Sequence, residues 1–185
     1  MNHLEALAEK YGTDKLQHGY IPFYEKHLPK SPRRILEIGV KQGASIRVWR
    51  DYFPNAEIHG LDLFMENDID SIRNQLEVDR FPEGKQSVFL WKGNQLDYLV
   101  LEELRKQDFD VIIDDGSHNS RDQMMTFFGL FNGKQYYIED LQCCSEEFYR
   151  QGLPYEATAA GMFNIVKYNN MKIIQSKNIA LMQCI

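Results

Sequence analysis

The chain has 185 residues, with 21 Lys and Arg against 27 Asp and Glu for a formal net charge of −6. That is one domain's worth of sequence, and its acidic balance argues against nucleic acid or an anionic membrane as partner, because those are met by clustered Lys and Arg. Hydrophobic residues make up 43%, and a chain of this length buries roughly 70% of the surface it exposes when unfolded, enough for a real core.

Taken in order, residues 1–30 read as a helical segment that Pro29 and Pro32 separate from the rest of the chain. Residues 33–185 alternate short β-type runs with helical patterns, the signature of a mostly parallel sheet covered on both faces, so residues 1–185 read as a single α/β domain. The expected strands are Arg34–Ile38, Glu57–Leu61, Ser87–Trp91, Val111–Ile113, Tyr136–Ile138, Lys172–Gln175 and Ala180–Cys184. Helices are expected at Ala44 to Phe53, at Ile69 to Val78 and over Leu96, Leu99, Val100 and Leu104, which repeat at helical spacing. Met124, Phe127, Phe128 and Phe131 form a further stripe that reads as core, and Ser120 with Gln123 reads as a capping box opening that helix. Only Ser176 to Asn178 join the last two strands, too few residues for a helical crossover, so those strands form an antiparallel hairpin and one strand of the sheet is reversed.

No apolar run approaches the ~18 residues of a membrane span. The first ten residues mix Glu5, Glu9 and Lys10 among apolar ones, which is not a signal-peptide pattern. Cys143, Cys144 and Cys184 lack the spacing of a zinc or redox pair and read as packing residues. The expectation is a soluble cytoplasmic protein without structural disulfides.

The first chemical signal is Ile35-Leu-Glu-Ile-Gly-Val-Lys-Gln-Gly-Ala-Ser45, a buried strand, a glycine turn and a helix start. Ligands of open α/β sheets bind at such a turn. A dinucleotide would want Gly-x-Gly-x-x-Gly and a helix N-terminus aimed at its pyrophosphate, whereas here Glu37 precedes Gly39 and Gly43 and would repel phosphate. S-adenosylmethionine, with an ammonium, a sulfonium and no phosphate, fits better. Asp62 closes the second strand about 25 residues after Glu37, near the ~20 at which an acid receives the ribose hydroxyls in nucleotide sites.

The second signal is Val111-Ile-Ile-Asp-Asp-Gly-Ser-His118, a strand running into two carboxylates and a histidine, beside a fifth strand that ends in Glu139-Asp140. Adjacent parallel strands would gather Asp114, Asp115, Glu139 and Asp140, and four converging carboxylates repel one another unless protonated or joined by a cation. A hard divalent ion such as Mg²⁺ suits oxygen ligands. His118, in the loop after the strand, suits a general base for a hydroxyl proton. His3, His27 and His59 have no such acids nearby and read as surface or strand residues.

Tyr11-Gly-Thr-Asp-Lys15 with His18-Gly-Tyr20 and Tyr24, Ile35-Leu-Glu-Ile-Gly39, Trp49-Arg-Asp-Tyr-Phe-Pro54 with Gly60-Leu-Asp62, Ile112-Ile-Asp-Asp-Gly-Ser-His118 and Ile138-Glu-Asp140 together resemble the class I methyltransferases of the macrocin and mycinamicin O-methyltransferase family. The resemblance runs from Tyr11 to Leu141. It implies a Rossmann-like seven-stranded fold and Mg²⁺-dependent methyl transfer from S-adenosylmethionine to a hydroxyl, typically of a deoxysugar on a natural product. By the same resemblance Asp115, Glu139 and Asp140 match the metal ligands and His118 the general base. Glu37, Gly39 and Asp62 match cofactor residues; Gly43, Ser45 and Asp114 are counted with them, and Asn94-Gln95 stands where relatives carry Asp-Gln near the adenine. Lys15, His18, Tyr20 and Tyr24 are expected to fold over cofactor and acceptor. Leu130 to Gln135 compresses a turn that is longer in the family, and Leu141 to Asn170 is brief, so the acceptor pocket is either open or completed by a neighbouring subunit. A catechol or another small diol serves the same chemistry, and a non-catalytic cofactor-binding protein is the rival from another class.

Overall fold

Residues 3–78, 88–161, 171–176 and 178–184 are described by a computed structural model, in which the chain forms two units, Met1–Gly93 and Asn94–Ile185. The first holds helices α1 (His3–Tyr11), α2 (Ile21–His27), α3 (Ala44–Tyr52) and α4 (Ile69–Val78) and strands β1 (Arg34–Ile38), β2 (Glu57–Asp62) and β3 (Val88–Lys92). Its strands run parallel in the order β3-β2-β1, with Glu37 opposite Gly60 and Asp62 opposite Lys92. Every residue of β1 after Arg34 is buried, as expected of a parallel strand shielded on both faces. α2 stops where Leu28 turns extended, the conformation that the following Pro29 favours. Trp49 of α3 is fully buried edge-on against Tyr24 of α2, ring centres 5.1 Å apart.

The second unit holds α5 (Tyr98–Arg105), β4 (Val111–Asp114), α6 (Ser120–Leu130), β5 (Gln135–Ile138), a 3-10 turn at Leu141–Ser145, α7 (Glu147–Arg150), β6 (Met171–Ser176) and β7 (Ile179–Cys184). Strands β4 and β5 are parallel, and β7 lies antiparallel between β5 and β6. The hairpin is the expected one, closing on Ser176 opposite Ile179, and β7 is the reversed strand. All seven expected strands are present with ends shifted by a residue or so; Ser87 lies outside the described residues. No helix among the described residues is long and apolar enough to cross a membrane.

Three local expectations are corrected. The cap of α6 is Asn119, whose side chain accepts from the Arg121 N–H at 3.2 Å, one residue before the expected Ser120. Ser120 and Gln123 instead point inward, Ser120 to Cys144 Sγ and Gln123 Nε2 to the Glu139 carbonyl. The aromatic stripe is only partly core. Phe127 is buried against Tyr136 and Phe131, but Phe128 is 67% exposed, because the inward stripe of α6 is Gln123, Thr126, Phe127 and Leu130 and Phe128 lies off it. In α5 the buried residues are Leu101 and Leu104, while Leu99 and the preceding Leu96 are exposed, the helix starting only after the Asp97 cap. Of the cysteines, Cys143 and Cys144 are buried and Cys184 is exposed.

At Gly60, in the middle of β2, a Cβ would lie 2.6 Å from Val40 Cγ2, with Leu90 and Ile46 methyls just beyond. Val40 has no flexible end to move aside. Gly60→Ala is expected to cost about 1–3 kcal/mol through overpacking, read as a lower urea midpoint at unchanged slope; an unaltered midpoint would show that β1 and β2 have room to separate here.

Candidate active site

In the first unit the carboxyl end of β1 delivers Glu37, wholly buried, into contact with two donors. Lys15 Nζ lies 3.1 Å from Glu37 Oε1, and Ser45 Oγ donates to Oε2 at 2.7 Å. Lys15, expected among the residues over the cofactor, is itself only 1% exposed. The chain then turns at Gly39, whose φ of +91° admits no side chain cheaply and whose N–H donates to Leu61 at the end of β2. Gly43, also left-handed, forms the N-cap of α3.

Asp62 faces this turn and is held by backbone. Its Oδ2 accepts from Val40 N at 2.7 Å and Lys41 N at 3.0 Å, and its Oδ1 from Phe64 N at 2.7 Å. The carboxylate is partly exposed, and oxygens so oriented keep lone pairs for a ligand's hydroxyls. Of the other residues expected to cover the site, His18 is exposed and packs edge-on to buried Tyr20, while Tyr24 belongs to the core.

In the second unit β4 ends in Asp114 and Asp115, which point to different environments. Asp114 is fully buried, accepting from Tyr136 Oη at 3.0 Å and Gly116 N at 3.4 Å. Burial pushes its pKa up to about 7, with the Tyr136 and Gly116 hydrogen bonds acting in the other direction. Asp115, His118 and Asp140 each offer a ligand atom to one group, all within 4.8 Å of one another. His118 Nε2 stands 3.4 Å from Asp140 Oδ2, and Gln142 Nε2 donates to Asp140 Oδ1 at 2.9 Å. His118 and Asp140 both adopt left-handed backbone, φ +56° and +55°, a region that histidine and aspartate enter more readily than most non-glycine residues.

Glu139, expected as a metal ligand, is buried and stands outside this group, where His118 joins the two aspartates. The two carboxylates fit a hard divalent cation, with the His118 imidazole beside them. Gln95, expected near an adenine, bridges two parts of the second unit: Nε2 donates to Thr126 Oγ1 at 3.0 Å and Oε1 accepts from Ser117 N at 3.0 Å, fixing the loop that carries His118. Asn94 is exposed and accepts from Leu96 N. The Tyr136 bond to Asp114 and the Gln142 bond to Asp140 went unread in the sequence. Tyr136 carried a usable signal, since a phenol two residues before the strand's end must find a partner if buried.

No protein-family model matches the chain. Among curated proteins it is 33% identical over 156 residues to an 8-demethyl-8-(2-methoxy-alpha-L-rhamnosyl)-tetracenomycin-C 3'-O-methyltransferase of Streptomyces olivaceus, covering 75% of this chain and 36% of the relative. It is 32% identical over 154 residues to the mycinamicin VI 2''-O-methyltransferase of Micromonospora griseorubida, with the same shares of 75% and 36%. To the L-olivosyl-oleandolide 3-O-methyltransferase of Streptomyces antibioticus it is 35% identical over 154 residues, 74% of this chain and 36% of that one. The chain thus spans little more than a third of the length of these relatives. Among solved structures it superposes with TM-score 0.80 and 25% identity on the MycE methyltransferase from the mycinamycin biosynthetic pathway in complex with Mg and SAH, covering 98% of this chain and 54% of that one. A putative caffeoyl-CoA O-methyltransferase from Staphylococcus aureus shares the fold at TM-score 0.65 and 15% identity, over 98% and 92% of the two chains. The chain resembles the sugar O-methyltransferases in sequence, and its fold is the seven-stranded, mostly parallel Rossmann-like methyltransferase fold.

With metal removed by EDTA, the Asp114 carboxyl titrates near pH 7 in the folded chain and near 3.8 when unfolded. The folded state then binds more protons between these values, so this carboxyl's contribution to stability is full below about pH 4 and is lost as pH rises through 7. Asp114→Asn, which keeps the acceptor for Tyr136, is expected to flatten that part of the profile and raise the melting temperature at pH 8. A variant profile parallel to that of the parent would show that Asp114 ionises normally.

Proposed function

We propose that this chain carries the catalytic part of a metal-dependent O-methyltransferase, transferring a methyl group from S-adenosylmethionine to a hydroxyl of a sugar or glycosylated small molecule. The observation that carries the reading is the convergence of Asp115, His118 and Asp140 within 4.8 Å at the ends of two parallel strands. A solved neighbour with the same fold was crystallised with Mg and SAH, and another structure of it also holds mycinamycin VI. The names of the curated relatives put the methyl on rhamnosyl, olivosyl and related sugars.

Asp115 and Asp140 would hold the ion, and the buried Glu139 immediately precedes Asp140 after the end of β5. When bound, a divalent ion supplies a positive charge that lowers the pKa of a neighbouring hydroxyl. His118 receives the hydroxyl proton, its Nε2 standing 3.4 Å from Asp140 Oδ2. Gln95, through Ser117, and the Asn119 cap keep the His118 loop in place. In the first unit the Gly39–Gly43 turn lets backbone approach the cofactor, and Asp62, oriented by three N–H groups, receives its ribose hydroxyls. Most of the rate then comes from positioning and charge neutralisation. Residues 1–30 cap the α/β core of 33–185, the two serving one catalytic domain of a cytoplasmic enzyme. The charge balance favours a small neutral acceptor over nucleic acid or a membrane surface.

Calorimetric titration with S-adenosylhomocysteine, with and without Mg²⁺, followed by turnover on a panel of glycosides and catechols, tests this directly. His118→Ala is expected to keep cofactor affinity while turnover falls about 10²–10⁴-fold, and Asp115→Ala to abolish dependence on added metal. Full turnover in EDTA would end the metal assignment, methylation of catechols in preference to glycosides would end the sugar assignment, and cofactor binding without transfer to any acceptor would leave a binding protein.

A further inference from the structure

The acid that opens the cofactor turn is shut away from solvent. Glu37 has no exposed surface, and Lys15, twenty-two positions earlier in the chain, reaches it with a side chain that is 1% exposed. The second carboxylate oxygen receives Ser45 Oγ from the first turn of α3. Glu37 thus presents no exposed oxygen to a ligand's ammonium, and the ammonium beside it belongs to the chain itself. Burying an isolated carboxylate is prohibitive and burying a matched pair is tolerable, so the pair holds the loop of Lys15 against the end of β1. A second ion pair joins the same two segments, Asp14 Oδ2 to Lys41 Nζ at 3.6 Å. Lys41 in turn gives its backbone N–H to Asp62. Residues 12–20 are thus strapped to the turn at two points, and the strap leads directly to the ribose-binding carboxylate.

We infer that Glu37 is a positioning residue which, through Lys15, fastens the 12–20 segment over the glycine turn and presets the cofactor site, rather than the receiver of the cofactor's amino group. This rests on reading the first unit as the S-adenosylmethionine site. The two roles separate by ligand: a receiver of the amino group matters only to a ligand that has one, whereas a preset turn matters equally to the nucleoside part.

Binding of S-adenosylhomocysteine and of 5′-methylthioadenosine, which lacks the amino-acid portion, is measured by calorimetry for the parent chain, E37Q, K15M and the double variant K15M/E37Q. Both single variants are expected to weaken both ligands by a common factor, roughly tenfold, in the range usual for coupling between a remote group and a binding site. The double variant is expected to be no weaker than the worse single one and, having no unpaired buried charge, to melt above it. Amide hydrogen exchange over residues 12–20 is expected to quicken in all three. Loss confined to S-adenosylhomocysteine in E37Q, or an effect of E37Q that adds fully to that of K15M, would overturn the inference. If the parent chain binds neither ligand, the proposed function fails by itself, and exchange still decides the strap: unchanged rates over 12–20 in K15M would refute it.

Discussion

A carboxylate and an ammonium buried together set the arrangement of the first unit. Glu37 lies at the end of a strand covered on both faces, where an unpaired charge would cost several kcal/mol. The pair with Lys15 removes that penalty only if residues 12–20 stay folded against β1, so electrostatics specifies a long-range contact that the buried Tyr20 of the same segment also supports. Ser45 extends the constraint to the N-terminus of α3. The turn between them, Gly39 to Gly43, is consequently bounded on both sides by groups that cannot move independently of Glu37.

The remaining strand-end acids meet the same problem in different ways. Asp62 is compensated by three backbone N–H groups and needs no cation. Asp114, enclosed with Tyr136, takes up a proton near neutrality. Asp115 and Asp140 meet it as members of one group. They come within 4.8 Å of each other and of His118, and Asp140 is only 7% exposed. That contrast is a physical reason to place the cation there: it is the one group of acids among the described residues whose mutual repulsion a divalent ion relieves directly.

Much of this was legible in the sequence because parallel sheets announce themselves. The buried runs at Ile35–Ile38 and Val111–Asp114 are continuous, and the short link at Ser176 to Asn178 permits nothing but a hairpin. Placing carboxylates at strand ends follows from the same reading. Identifying their partners does not, because the partner of Glu37 comes from 22 residues upstream and the partner of Asp114 from the next parallel strand. Local pattern also failed where two signals competed. Ser120 matches a capping box, yet Asn119 wins the cap because Ser120 and Gln123 find buried partners in Cys144 and Glu139. Phe128 matches the aromatic stripe, yet Gln123 and Thr126 take the inward positions, held there by hydrogen bonds.

The hardest feature to read in a sequence is the one most tied to chemistry. His118 and Asp140 both sit in left-handed backbone, where glycine or asparagine would be the easier residue. Neither position advertises this, since histidine and aspartate are ordinary loop residues. The stabilising option was within reach at each site by a single substitution to glycine, and it would have removed the imidazole or the carboxylate that completes the group. Left-handed backbone at two residues whose side chains meet turns the imidazole and the carboxylate toward one point, and a change to glycine at either would delete a functional group. The supports around it follow the same logic. Gln95 grips Ser117, Asn119 caps α6, and Gln142 holds Asp140, so that each of the two residues is flanked by a hydrogen bond that fixes it.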